Sequence, residues 1–523
     1  MLSPALYRML VSLNDLNLIS SHIPTNATLI AKHPISTSHI VGFVALGSMT
    51  YGYCSSIIAT TLGQPSFIAY FNLDTRSNAT QLIGAINGLF QAGGLVGCLS
   101  CVKSADVLGR KRAIFITAIV SLIGGALQAG SVSIAMYLVF RFVTGLGIGS
   151  IVVLIPLYQS EIAPPRIRGL LVGIHGIMLC VGYSVASWVG LGFYFVNASG
   201  AQWRLPLAIQ CLPPLILAIG VPFLPESPRW LLDQDRSDDA LKAFEAVRAE
   251  SDDSMLNDRS AILEEFNLLK GLIQHEKMTK HRFVDLFKSP GMRKRCLLGF
   301  LVMFGCQGTG TLVINNYGPT LYKALGFTTV SQLLIQSGWV SICPFGNAIN
   351  SVLVDRVGRI RLLVIGFVGV VTALIGECIT VSIFQRTKSR GMAGAAVFFL
   401  FWHMVCFSST SDATSYVYAS EIFPTPLRAK GLAFSVSGLF VATIIFLQVA
   451  PTAFATIGWK YYLVFLIISA VCAVVFYFYY PETNQLSLEQ IGELFGDKVE
   501  AVNTEEKTDV TRSTTVEDVS DKA

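Results

Sequence analysis

The stretch DVLGRKR at residues 106–112 returns as DRVGRIR at 355–361, 249 residues further on. Two other segments repeat with it. YQSEIAPPRIRG at 158–169 is answered by YASEIFPTPLRAKG at 418–431, and LPESPR at 224–229 by YPETNQ at 480–485, at offsets of 260 and 256 residues. Three segments recurring in one order at nearly one offset mark a duplicated unit of about 250 residues. The unit is therefore half of the chain, and the fold is that of two like halves.

The surroundings of these motifs say what each half is made of. The chain has 523 residues, 52% of them hydrophobic and only 14% charged, with a mean hydropathy of +0.58. Soluble domains carry about 25% charged residues, so this chain is short of water-facing surface. Its apolar residues come in runs such as 39–62, 113–132 and 461–480. Each is long enough for a spanning helix, which needs about 20 residues. Runs without strict alternation favour helices over barrel strands.

Twelve spans are expected, at 39–62, 81–101, 113–131, 134–156, 170–195 and 204–223, then 295–321, 331–354, 361–384, 393–419, 431–452 and 460–480. The implied organisation is a tail over 1–38, a six-helix half over 39–224, a polar central loop over 225–292, a second half over 293–480 and a tail over 481–523. Within the loop, DDALKAFEAVRAE (238–250) places Leu241, Phe244 and Val247 at helical spacing, which predicts short amphipathic helices. The second tail turns polar and acidic, a disorder-prone composition toward its end.

Lys and Arg concentrate in the loops around 102–112, 157–169, 355–361 and 424–430, which places those loops, and both termini, in the cytoplasm. The loop QRTKSRG at 385–391 runs against this bias. The sequons at Asn78 and Asn197 then face outward as glycosylation candidates, whereas that at Asn26 does not. The first 38 residues lack the charge and apolar pattern of a signal peptide. The 11 cysteines are scattered and show no metal-ligand spacing, so no metal or other cofactor is expected. No nucleophile–base pair or HExxH signature supports an enzyme, and no basic stripe with interleaved aromatics supports nucleic-acid binding. The expected partners are membrane lipid and a small-molecule solute.

Together with RFVTGLGIGS (141–150) and PESPRW, the paired motifs resemble the sugar porter family of the major facilitator superfamily, in a fungal wording, over roughly 40–490. The resemblance implies an all-α membrane protein of twelve transmembrane helices in two six-helix pseudo-repeats, working as a secondary transporter by alternating access. It also implies a cytoplasmic gate of ion pairs, formed by Asp106, Arg110, Arg141, Glu161 and Arg168 and mirrored by Asp355, Arg356, Arg359, Glu421 and Arg428.

Carried over position by position, the family's sugar ligands are largely replaced. Gly176 stands at a glutamine position on span five, beside His175; on span seven Cys306 replaces one of two glutamines and Gln307 keeps the other. Leu312, Cys343 and the pair Leu439-Phe440 stand where the family has asparagine, asparagine and Asn-Trp; Tyr416 replaces a tryptophan, and Cys54 an aspartate that couples protons in many relatives. Candidate substrate-binding residues are Gln307, Asn315, Asn316, Tyr317, Tyr416, His175 and Asp412. The loss at Cys54 points to a facilitator or to coupling through another acid; Asp412, in FSSTSDATSYVY, is an intramembrane carboxylate and the candidate proton carrier or partner of a cationic solute. His403 and Glu377 are weaker candidates of the same kind.

The glycines and Pro319 of CQGTGTLVINNYGP (306–319) predict a bend in span seven. The solute is expected to be a sugar or sugar-like compound, with a non-sugar metabolite such as an organic acid as the alternative. A non-transporting nutrient sensor is the alternative of another class.

Overall fold

The computed structural model describes residues 37–163, 168–196, 198, 200–248, 259–278, 282–486 and 488–496. Among them, eleven helices are long and apolar enough to cross a membrane. They are α1 (His39–Gly63), α2 (Ala79–Leu108), α3 (Arg110–Ala129), α4 (Ile134–Ile162), α5 (Arg168–Tyr194), α6 (Ala201–Phe223), α7 (Pro290–Ala324), α9 (Arg359–Thr387), α10 (Arg390–Glu421), α11 (Arg428–Thr456) and α12 (Gly458–Tyr479). A twelfth helix, α8 (Thr329–Val357), has 29 residues but a less apolar sequence. It carries Gln332, Gln336, Asn347 and Asn350, all buried inside the bundle. Those side chains find partners there: Gln336 donates to the Asn315 carbonyl at 2.9 Å, and Asn350 to that of Ser408 at 3.4 Å. A spanning helix tolerates such residues only where they face protein.

The repeat in sequence is a repeat in packing. In the first half α2 lies on α4, α3 on α4 and α1 on α5; in the second α8 lies on α10, α9 on α10 and α7 on α11. Helix n of one half thus corresponds to helix n + 6 of the other. The halves meet along two matching seams, α2 against α11 and α5 against α8. Large apolar side chains such as Leu212, Ile219, Phe345, Phe398 and Phe478 stay exposed on the outside of the bundle, as a lipid-facing surface requires.

RFVTGLGIGS has a packing role. A Cβ on Gly145 would lie 2.1 Å from the Phe90 carbonyl oxygen, and one on Gly149 2.0 Å from that of Gly94. Only hydrogen at these positions lets α4 touch the backbone of α2. Dispersion and close backbone approach, rather than a hydrophobic drive, hold helices together in lipid.

The polar central segment is helical near its start. Helix Ser237–Arg248 buries Phe244 and Val247, and Phe244 packs in a small cluster with Leu231, Leu232 and Phe266. The tail after α12 begins in an ordered way: helix Leu488–Leu494 buries Ile491, and Arg295 of α7 stacks 4.8 Å over the ring of the adjoining Phe495.

Candidate functional site

At the end of the bundle that carries the repeated motifs, each half builds the same staple. Gly109 and Gly358 sit at φ +87° and +100° with ψ near 160°, a region that only glycine enters freely. There the chain turns from α2 into α3, and from α8 into α9. Glu226, from LPESPR, reaches the start of α3 and accepts from the backbone N–H of Arg110 and Lys111 at 3.0 and 3.1 Å. Glu482, from YPETNQ, accepts from Arg359 and Ile360 at the start of α9 at 2.8 and 3.0 Å. A carboxylate at a helix N-terminus satisfies orphan donors and meets the positive end of the dipole.

A Cβ on Gly109 would come within 2.6 Å of Glu226 Oε2, and one on Gly358 within 2.8 Å of Glu482 Oε2. Gly109→Ala and Gly358→Ala are each expected to cost about 1–3 kcal/mol in backbone strain alone. A lowered melting temperature in detergent checks this.

The arginine after each glycine completes the staple. Arg110 grips Glu161 through Nε and Nη2 at 2.9 and 2.8 Å, with both side chains nearly buried. Arg359 grips Glu421 at 3.1 and 2.9 Å, pairs with Asp355 at 3.0 Å, and meets Asn484. Asp106 stands 3.7 Å from Arg110 and 3.9 Å from Lys430 of the other half, so one ionic contact crosses the seam.

Arg141 does not belong to this group. It lies two turns into α4 from the opposite end, completely buried, with its guanidinium 4.1 Å over the Phe90 ring and Nη1 donating to the Cys54 carbonyl at 2.9 Å. The physical reason is direction: α3 carries the chain away from the motif end, so α4 starts at the other one. Arg356 is exposed and joins no ion pair among the described residues. Arg428 opens α11, half-buried, while the side chain of Arg168 lies outside the described residues.

Between the halves, midway along the bundle, lies a contracted cavity of about 40 Å³. Two helix breaks frame it. α7 is interrupted between Gly308 and Thr311, where Gly310 takes φ +82° and packs its bare Cα against Phe465. The Thr309 carbonyl freed by the break is met by His403 Nε2 at 3.1 Å. α10 is interrupted at Ser411, and its second segment starts at Asp412.

Gln307, Asn315, Tyr416 and Asp412 all line this cavity. Gln307 is buried and its Oε1 has no hydrogen-bond partner among the described residues. Asn315 Oδ1 accepts from Ser56 of the first half at 3.3 Å and from Gln336 at 3.1 Å. Asp412 Oδ2 accepts from Asn347 at 2.8 Å.

The other three candidates stand back from the wall. Asn316 bonds the Leu312 carbonyl within its own helix at 2.9 Å, because on a helix it points away from its neighbour Asn315. Tyr317 donates to the Leu447 carbonyl of α11 at 2.9 Å. His175 shares a hydrogen with Ser48 at 2.7 Å and meets the Tyr416 ring edge-on behind the wall.

Of the apolar replacements, Leu312, Leu439 and Cys343 do line the cavity. Phe440 instead fills the space beside Gly94 on α2. Sequence reasoning missed Tyr51, Tyr183 and Trp339, which give the wall aromatic surface and hydroxyls, and Asn347, one turn from Cys343. It also left out Glu226 and Glu482, although the paired LPESPR and YPETNQ held the signal. Asn78 is exposed at the end opposite the motifs, and Asn197 lies outside the described residues.

A family model described as "Sugar (and other) transporter" matches residues 40–495. The chain is similar to the MFS-type transporter criB of Aspergillus cristatus, with 34% identity over 453 residues that cover 86% of this chain and 92% of the relative. It is similar to a quinate permease of Neurospora africana at 29% identity, covering 87% and 88%. The partially occluded, inward-open xylose transporter XylE from E. coli superposes with a TM-score of 0.72 over 86% of this chain and 98% of that one. At 21% identity that likeness is one of fold.

Proposed function

Because the chain belongs to the sugar (and other) transporter family, we propose that it carries a polyhydroxylated ring through the central cavity and that Asp412 takes part as a proton carrier. It is a multi-pass membrane protein and a secondary transporter of a sugar or sugar-like compound. The family match favours this solute over a non-sugar metabolite.

The observation that carries the reading is Gln307 Oε1, a buried acceptor without a partner on the cavity wall. Leaving such an atom unmet costs about 1–3 kcal/mol. A solute hydroxyl removes that cost, and the rings of Tyr51, Tyr183 and Tyr416 offer faces to the C–H side of a sugar ring. Asp412 supports the proton role because it is an intramembrane carboxylate at a helix break, on the seam that must open. The paired staples act as the cytoplasmic gate, with both termini on that side by the charge of the loops.

The test is growth of a hexose-transport-null yeast expressing the chain on hexoses, pentoses, disaccharides, polyols and sugar acids. Growth on at least one is expected. Growth on none, with the protein at the cell surface, sinks the reading.

A further inference from the structure

The seam between α5 and α8 holds a cluster of which the transport reading uses only Asp412. Cys180 of α5 and Cys343 of α8 lie 163 residues apart in sequence, yet their Sγ atoms are 2.8 Å apart. Asp412 of α10 completes the group, with one ligand atom from each of the three within 4.8 Å of the others. Both cysteines are buried.

The fourth member is Asn347. Its Nδ2 lies 2.8 Å from Asp412 Oδ2, 3.1 Å from Cys180 Sγ and 3.6 Å from Cys343 Sγ. The same Nδ2 also lies 3.2 Å from the Cys343 carbonyl oxygen, so one partly positive NH2 group faces these three side-chain atoms and a backbone acceptor at once. The opposite end of the same amide, Oδ1, is buried and has no partner among the described residues. This is the arrangement of a cation site filled by an amide: three donors converge on one point, and the amide occupying it has an orphaned oxygen to offer. Turning the Asn347 side chain about its last bond would bring Oδ1 to that point as a fourth ligand.

We propose that Cys180, Cys343, Asp412 and Asn347 form a tetrahedral site for a thiophilic divalent cation of the Zn²⁺ or Cd²⁺ type. Two sulfurs and two oxygens suit such ions and discriminate against Mg²⁺ and Ca²⁺, which take oxygen ligands alone. Binding releases both thiol protons to solvent and replaces S–H by S–metal bonds. At a metal–sulfur distance of about 2.3 Å the two Sγ atoms must part by about 1 Å, a small rotation of each side chain. An ion held there joins α5 of the first half to α8 and α10 of the second, across the seam that alternating access must open. Nothing in this proposal depends on which solute is carried.

The test uses the purified full-length chain in detergent, with Co²⁺ as the spectroscopic probe. One Co²⁺ per chain is expected, with thiolate-to-metal charge-transfer and tetrahedral d–d absorption, displaced by Zn²⁺ and untouched by Mg²⁺. Cys180→Ser and Cys343→Ser are expected to remove the bands, and Asp412→Asn to weaken binding by at least the roughly tenfold that losing an outer-shell partner costs. Zinc-edge X-ray absorption of the unaltered chain gives a readout that needs no variant to fold: two sulfur neighbours at about 2.3 Å are expected. Absence of the Co²⁺ bands, their persistence in the Cys180→Ser/Cys343→Ser double variant, or a zinc shell without sulfur overturns the proposal. So does a Cys180–Cys343 disulfide, found by mass spectrometry in protein purified without reductant.

Discussion

Glu161→Ala is expected to abolish uptake, and to do so more completely than Glu421→Ala. Both carboxylates receive a bidentate arginine, but the Arg110–Glu161 side chains are only 10% and 6% exposed, whereas Glu421 is 28% exposed. Removing Glu161 leaves the Arg110 guanidinium with the half-exposed Asp106 at 3.7 Å and the Ala105 carbonyl. Breaking a buried pair by deleting one partner costs about 3–5 kcal/mol, a large share of the usual 5–15 kcal/mol of stability. In the second half Arg359 keeps Asp355 at 3.0 Å and Asn484 after Glu421 is lost. Surface-corrected uptake and detergent melting of the two variants check the order. The reversed pair Arg110→Glu with Glu161→Arg should recover part of the loss. Wild-type uptake by correctly localised Glu161→Ala would remove the staple from the mechanism.

The second large effect is expected at Asp412. Asp412→Asn preserves size and leaves an acceptor for the Asn347 amide, so the break in α10 keeps its shape. What it removes is the charge and the exchangeable proton of a carboxylate inside the membrane, which is retained there only for function or for a close partner. Uptake is expected to fall on the order of tenfold or more, the scale of losing a positioned proton-transfer group, and its dependence on external pH to flatten. An unchanged pH profile at undiminished rate would assign the coupling elsewhere.

The halves, and the charged residues of their staples other than Glu226 and Glu482, were legible because the same residues recur at a nearly constant offset, and only homologous structure repeats ions that way. The depth of Arg141 was also encoded, through the direction of α4, but a motif beside an arginine reads at first like another helix end. The role of Glu226 was hidden by distance: the N–H groups it caps belong to Arg110 and Lys111, more than a hundred residues earlier. The cavity was legible only in part. In a spanning helix the lipid-facing and protein-facing sides are both apolar, so periodicity does not tell which side looks inward. Gln307 and Asp412 stood out as polar residues on apolar spans. Tyr51 and Tyr183 did not, because tyrosine suits either environment. Cys180 and Cys343 shared no local spacing that links them, and only the packing of α5 on α8 brings them together.

The central claim is that a hydroxylated solute passes between the halves against Gln307. Counterflow in proteoliposomes tests it most directly: purified chain is loaded with unlabelled sugar and given a trace of the same sugar labelled outside. The account predicts transient accumulation of label for at least one hexose, pentose or polyol, lost in Gln307→Ala vesicles that hold the same amount of folded protein. Accumulation undiminished by Gln307→Ala, or no accumulation of any of these solutes by the unaltered chain, would contradict it.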